Sequence, residues 1–402
     1  MALGLYISVP FCRAKCSYCN FASDVFSKSA YENYVVRVIE DISGSRALAS
    51  DLGCVFDQDV DSIYLGGGTP SILSPEQLLR IFAAMREQFV VAQDAEITVE
   101  CAPGTLTPVL IETLLQCGVN RVSLGVQSFV DQEAQAVGRL HKRSTVMDEV
   151  ARMHAAGIDN INIDLIAGLP HQTEDSWTFS LAETVALGVP HASVYMLEVD
   201  EDSRLGRELI AGGTRYHAHF VPNDETTADF YMQACETLTA NGVAQYEISN
   251  FARPGVASHH NLKYWTRQPY LGFGVDAHSM LRTLAHSSQA IRFASPVSLD
   301  GYMNRAPHTI TRVSQCGALE ESFFLGLRLN RGVDLDALRA EFSSEALAPY
   351  SLVIDECIVE ELVECEGAVV RLTAHGRLLS NEVFARFLRE EAKEEAKWEP
   401  AT

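Results

Sequence analysis

The chain has 402 residues, of which 47% are apolar and 21% charged, with 31 basic side chains against 53 acidic ones and a formal net charge of −22. Such a composition is globular and its length suits one large unit plus a smaller one at about 150 residues per domain, which excludes disorder, collagen and coiled coil. The acid excess excludes the basic stripe of a nucleic-acid binder; no uncharged apolar run of about 18 residues can span a bilayer, and the first fifteen residues lack the features of a secretory signal, so a cytoplasmic protein is expected.

Along the chain, six short β-branched or aromatic runs each precede a stretch of helical periodicity, the pattern of repeated βα units around a parallel sheet. Strands are expected at 5–9, 62–65, 96–100, 121–126, 160–166 and 192–197, and helices at 29–50, 75–90, 107–117, 144–156, 174–187 and 224–241. Ser74-Pro75-Glu76 and Thr107-Pro108 mark two helix starts, since Pro suits the first turn. Gly118, Gly157, Gly188 and Gly242 mark helix ends, where a left-handed cap is tolerated.

The chemically loaded residues fall at strand ends. In order these are the Cys12 loop, Gly66-Gly67-Gly68-Thr69, Glu100, Gln127 and Asp164. An α/β barrel, open or closed, carries its site on that face. The barrel is expected over residues 1–245, followed by a connecting region, 246–308, rich in His, Asn and aromatic residues. A smaller unit is expected at 309–388, with helices near 318–329, 334–342 and 351–364 and a ribbon turning at Glu366-Gly367, a winged-helix-like arrangement. Residues 389–402 read as a charged, solvated helical tail with i,i+4 pairs.

Seven of the ten cysteines (Cys54, Cys101, Cys117, Cys235, Cys316, Cys357 and Cys365) stand singly in apolar segments and read as small buried hydrophobes. The other three, Cys12, Cys16 and Cys19, lie within eight residues. A structural zinc site would need a fourth ligand from afar, the first His being His141. A [4Fe-4S] cluster needs only these three thiolates and leaves one iron open. Spacing alone leaves both open.

The CxxxCxxC loop directly after the first strand, with Tyr18 before its last Cys, resembles the radical S-adenosylmethionine superfamily. That resemblance implies a partial (β/α)6 barrel and a [4Fe-4S] cluster on Cys12, Cys16 and Cys19. The open iron would chelate the amino and carboxylate groups of S-adenosylmethionine, whose one-electron reduction gives methionine and a 5′-deoxyadenosyl radical. It further implies contacts to that cofactor from Tyr6, Tyr18, Gly67, Gly68, Thr69, Glu100, Gln127, Arg139 and Asp164. Glycine would let bare backbone approach the methionine moiety, Arg139 can hold a carboxylate bidentately, and Asp164 can accept from a ribose hydroxyl.

Gly66 to Ser71, Gly125 to Phe129, Asp164 to Pro170 and Phe251-Ala252-Arg253-Pro254 together resemble the oxygen-independent coproporphyrinogen III dehydrogenase (HemN) group over residues 5 to 388. The group holds an oxidative decarboxylase and a haem-carrying branch, HemW, that delivers haem to client proteins. Three features favour the carrier branch. Only 11 residues precede Cys12, Phe21 stands where the decarboxylase has a further Cys, and His260-Asn261-Leu262-Lys263-Tyr264-Trp265 matches the HNxxYW motif of the carriers. The motif implies haem on His260, with His259 as the neighbouring alternative and Tyr and Trp as apolar faces for the macrocycle. His278 is expected to line the site. The implied partners are haem and haem-accepting clients, membrane-associated ones included. Decarboxylation of coproporphyrinogen, and radical modification of another small molecule, are the alternative readings.

Overall fold

The computed structural model describes residues 2–201, 203–284 and 288–389; the charged tail expected at 389–402 lies, beyond Arg389, outside the described residues. At its centre is β1, Leu3–Val9, whose residues are buried at every position except the partly open Tyr6, as a strand covered on both faces requires. The expected βα alternation follows. It runs through α1 (Lys28–Asp51), β2 (Asp59–Gly67), α2 (Pro75–Gln88), β3 (Val90–Cys101), α3 (Pro108–Gln116), β4 (Arg121–Gln127), α4 (Arg143–Ala155), β5 (Asn160–Ala167), α5 (Glu174–Ala186) and β6 (His191–Met196). A short helix, α6 (Arg204–Ala211), then precedes α7 (Asp224–Ala240). The expected caps form: Ser74 and Gln77 close a capping box on α2 with Pro75 in its first turn, and the Thr107 hydroxyl accepts from Leu110 N at the start of α3.

Strands β1 to β6 pair in parallel in chain order, giving the α/β, parallel-rich partial barrel. The sheet also continues on both sides. Strand β7 (Asn250–Ala252) joins β6 antiparallel. On the other side β8 (Tyr270–Gly274) joins β1 in parallel, and β9 (His278–Thr283), β10 (Ala290–Ala294) and β11 (Thr309–Val313) extend the sheet antiparallel. Between β7 and β8 runs α8, His259–Trp265, which carries the HNxxYW residues. Ser8 is paired with Gly66 of β2 on one side and Gly274 of β8 on the other. The C-terminal ends of β8, β1 and β2 therefore stand level, and the loops that follow them share one rim.

The C-terminal unit contains α9 (Gln315–Gly326), α10 (Leu335–Phe342) and α11 (Tyr350–Val359). With them is a three-stranded sheet of β12 (Val333–Asp334), β13 (Val363–Glu366) and β14 (Val369–Leu372), β14 lying in the middle. Phe323, Tyr350 and Phe387 stack in its core. This core merges with barrel residues Ile248, Tyr270 and Met280. Among the described residues no helix is long and apolar enough to cross a membrane.

Two arginines of the β8–β10 region clasp one acid of α9. Arg267 Nε lies 2.8 Å and Arg292 Nε 2.7 Å from the Glu321 carboxylate, and the Arg267 and Glu321 side chains are only 4% and 11% exposed. Removing one member of a buried ion pair leaves its partner uncompensated, at roughly 3–5 kcal/mol. Glu321→Ala should therefore lower the unfolding free energy by about that amount in a denaturant titration, whereas Glu364→Ala on the exposed β13 should change it by less than about 1 kcal/mol.

Candidate functional site

The cysteine loop is fixed by backbone bonds at both ends. Cys12 N donates to Asp24 O at 3.0 Å, Ser17 N to Val137 O at 3.1 Å, and Leu205 N of α6 to Ser17 O at 2.8 Å. The segment after β2 packs directly under it. Gly68 N donates to Val9 O at 2.7 Å and Thr69 N to Phe11 O at 2.8 Å, while the Thr69 hydroxyl lies 3.8 Å from Cys12 Sγ. A Cβ on Gly68 would stand 2.7 Å from Phe11 O and 2.8 Å from Val9 O, so this approach requires glycine; Gly67 before it has φ +99°, where a side chain is strained. Gly68 and Thr69 thus spend their backbone N–H groups on seating the segment that carries the cysteines.

All ten cysteines are free thiols. Of the seven scattered ones, Cys54, Cys101, Cys117 and Cys357 are buried as expected, but Cys316 and Cys365 are exposed. Cys316 lies in the outer first turn of α9, and Cys365 on the edge strand β13. Among the described residues no three His, Cys, Asp or Glu side chains converge on a single ion.

Arg139 reaches into the loop from the chain after β4. Its Nη1 lies 3.4 Å from Cys16 Sγ, and its Nη2 donates to Gly125 O. Burial opposes its charge, but Tyr18 and Cys16 nearby hold its pKa above the usual arginine value. Tyr18 packs on Val137, Ile166 and Leu169, and burial, with Cys16 beside it, pushes its hydroxyl well up.

Three acceptors mark the neighbouring strand ends. Tyr64 OH donates to Glu100 Oε1 at 2.8 Å; burial, reinforced by Asp164, pushes the Glu100 carboxyl up to about 8. Asp164 accepts from Asn162 Nδ2 at 2.7 Å and Ser123 Oγ at 3.0 Å, and burial raises its pKa also. Gln127 stands at a break in the β4–β5 register with φ +70°, and its Oε1 is buried without a partner among the described residues. A strained backbone and an orphaned acceptor are costly unless a ligand uses them. Carboxyls awaiting a cation, an orphaned acceptor and a glycine cradle together fit a zwitterionic, amino-bearing cofactor.

A cleft of about 470 Å³ opens along this rim. It is lined by Tyr6, Phe21, Tyr64, Gly67, Gly68, Glu100 and Tyr195, together with Tyr264, Tyr270, Asp276 and His278. Tyr18, Thr69, Gln127, Arg139 and Asp164 are not in its lining; they surround it or the cysteine loop. Sequence reasoning passes over Tyr64, Tyr195, Tyr270 and Asp276. For Tyr64 a signal was present, because period-two alternation on β2 places it on the same face as Gly66.

His260 also borders the cleft, yet it is 1% exposed. Its Nδ1 lies 3.0 Å from Ser62 Oγ, its Nε2 2.8 Å from Tyr264 OH, and its backbone N donates to Glu96 Oε1 at 3.1 Å. Burial drives its pKa down to about 3, Lys263 adding to the effect, so the imidazole is neutral. The rest of the motif is equally engaged. Lys263 Nζ pairs with Asp61 at 2.7 Å, and Arg328 of the C-terminal unit lies over the Trp265 ring at 4.2 Å. His259 is exposed and outside the cleft lining.

Comparison with known proteins agrees with this geometry. Residues 6–181 match the model of the radical SAM superfamily, and residues 313–379 that of the HemN C-terminal domain. The chain is 33% identical over 388 residues to the heme chaperone HemW of Lactococcus lactis, covering 95% of this chain and 96% of that one. It is 33% identical over 389 residues to the heme chaperone HemW of Bacillus subtilis, covering 96% and 99%. Among solved structures, the coproporphyrinogen III oxidase HemN of Escherichia coli superposes with a TM-score of 0.80 at 22% identity, covering 96% of this chain and 90% of that one; that likeness is one of fold.

The Glu100 carboxyl supplies a test of the site's electrostatics. Its folded pKa is raised above the ordinary value near 4.3, so the unfolded chain ionises first and stability falls as pH rises from about 4.5 to about 8. Glu100→Gln removes that slope. The variant should gain stability relative to wild type by on the order of 1 kcal/mol per pH unit across that window, with the difference constant above it, as measured by denaturant unfolding at a series of pH values.

Proposed function

The chain belongs to the HemW family of radical S-adenosylmethionine proteins, and from that premise we propose that it holds haem in the barrel cleft and passes it to client proteins. The observation that carries this reading is the lining of the cleft, where the rings of Tyr6, Phe21, Tyr64, Tyr195, Tyr264 and Tyr270 meet Gly67, Gly68 and Glu100, with the glycine turn bonded to the cysteine loop. Aromatic faces suit a macrocycle, and the volume lies in the range of small-molecule sites, roughly 300–1,000 Å³.

The end of the cleft at Gly67, Gly68 and Glu100, with the cysteine loop that the glycine turn seats, is the place proposed for the resident cofactors. Cys12, Cys16 and Cys19 would hold a [4Fe-4S] cluster, and Glu100, Gln127, Arg139, Asp164, Tyr6, Tyr18 and the Gly67–Thr69 turn would hold S-adenosylmethionine. When bound, this pair supplies one-electron reduction of the sulfonium. The chain's own part is electrostatic. Arg139 offsets thiolate charge at Cys16, and Glu100, neutral near pH 7 without a ligand, would give up its proton to a cationic amino group. Gln127 Oε1 would accept from the cofactor, and each Asp164 oxygen keeps a lone pair for a hydroxyl.

Anaerobically reconstituted protein should bind about four irons and four sulfides, and alanine at Cys12, Cys16 and Cys19 together should abolish this. Arg139→Ala or Glu100→Ala should weaken the perturbation of the reduced cluster's EPR signal by S-adenosylmethionine. At ~1.5–3 kcal/mol for a charged hydrogen bond, each change lowers affinity by one to two orders of magnitude. Haem added to wild type should give a Soret band, and a purified apo-haem acceptor should take that haem up. Failure to bind haem, together with conversion of coproporphyrinogen III to a vinyl product, would overturn the carrier reading in favour of the decarboxylase.

A further inference from the structure

Within the cleft the imidazoles differ sharply in availability. His260 is closed on both ring nitrogens by Ser62 and Tyr264, and freeing Nε2 would strand the Tyr264 hydroxyl in a buried site, at about 1–3 kcal/mol for an unsatisfied group. It also hangs from the strand starts, since its backbone and Ser258 Oγ bond Glu96 near the beginning of the buried part of β3. His278 is the opposite case. Its side chain is 67% exposed, it lines the same cleft, and its nearest acid, Asp276 Oδ1, is 3.7 Å from Nε2. That is beyond hydrogen-bond reach, so neither ring nitrogen is tied among the described residues.

The backbone that carries His278 is rigid. It is the first residue of β9 and pairs with Ala294 of β10. Gly272 N of β8 donates to the Ser279 hydroxyl at 2.9 Å, and Asp276 N donates to Pro296 O at 3.0 Å while holding a left-handed φ of +54°. The β8–β9 hairpin thus places an open imidazole and a carboxylate on the rim that the β1–β2–β8 register makes level with the cysteine loop. The tyrosines of the cleft offer no competing ligand. Burial raises the pKa of Tyr6, Tyr64, Tyr195, Tyr264 and Tyr270, against the phenolate form that iron would need.

We infer that His278 is the ligand the cleft would present to haem iron, with Asp276 as the nearby carboxylate of the same hairpin, and that His260 is a structural plug in the cleft wall. The inference rests on the haem-carrier reading above. A carboxylate that hydrogen-bonds a ligating imidazole fixes its tautomer and raises its basicity, a bond Asp276 would make by closing the 3.7 Å gap to the ring, and a ligand on the open rim, rather than on the floor, lets an acceptor's own ligand replace it without opening the barrel.

The test uses the cluster-loaded full chain titrated with ferric and ferrous haem, followed by absorption and EPR. His278→Ala should shift the Soret band, weaken binding by tenfold or more, and recover a wild-type-like spectrum on addition of free imidazole; Asp276→Asn should weaken binding by roughly tenfold with the ligand set unchanged. His260→Gln, which keeps polar atoms for Ser62 and Tyr264, should leave the spectrum as in wild type. If wild type binds haem and His278→Ala matches it in spectrum and affinity, the ligand assignment is wrong and the carrier reading stands. If His260→Gln alone loses the band while remaining folded by circular dichroism, His260 is the ligand. Absence of haem binding in wild type overturns both.

Discussion

The site depends on one constraint, the two-sided parallel pairing of β1. Ser8 faces Gly66 on one neighbour and Gly274 on the other, and everything on the rim inherits its height from that register. A slip of one residue would turn Tyr6 and Ser8 away from the cleft and push Leu5 and Ile7 into it. The strand resists the slip because Leu3, Leu5, Ile7 and Val9 on its other face are all fully buried. The apolar alternation that builds the core is therefore also what sets the cysteine loop, the glycine turn and the β8–β9 hairpin side by side.

The rim so assembled is electrostatically unfinished. Burial raises the pKa of both Glu100 and Asp164, and the Asp164 carboxyl raises that of Glu100 further. Gln127 adds an acceptor that nothing satisfies. Arg139 bonds Cys16 and Gly125 and also feels the Asp164 carboxyl. Acceptor groups thus gather around Glu100, Asp164 and Gln127 while the arginine lies between them and the cysteine loop. A ligand carrying a positive amino or sulfonium centre would relieve the acceptors, and an anionic thiolate-held cluster would sit against the arginine. The chain's net acidity is a separate matter, carried by its solvated surface.

Much of this was legible from local signals. The six βα units follow hydrophobic period and helix caps, and Ser74 with Gln77 and Thr107 with Leu110 form the expected bonds. Strands β7 to β11 carry no comparable signal, because several are short and no amphipathic helix follows them; Asn250–Ala252 joins the main sheet by pairing with His191–Ser193, far away in sequence. The same limit applies to His260. Its neighbours in the motif suggest a ligand, while its bond to Ser62, on another strand, leaves no mark in the local sequence. Tyr64 shows the reverse case, a residue without a motif whose role follows from facing Glu100 across adjacent strands.

The HNxxYW helix acquires a mechanical meaning from these contacts. Its seven residues touch three parts of the molecule at once: Lys263 reaches Asp61 at the start of β2, Tyr264 enters the cleft against Tyr270, and Trp265 lies under Arg328 from beyond α9. Arg267, just past its end, is held by Glu321 of α9. The aromatic wall of the cleft is consequently not free to move without either the strand starts or the C-terminal unit. Motif residues that bind cargo directly would have to be open to it, whereas residues that hold a wall in place should be buried and mutually bonded. His260 and Lys263 show the second pattern, while Asn261 and Tyr264 of the same helix line the cleft.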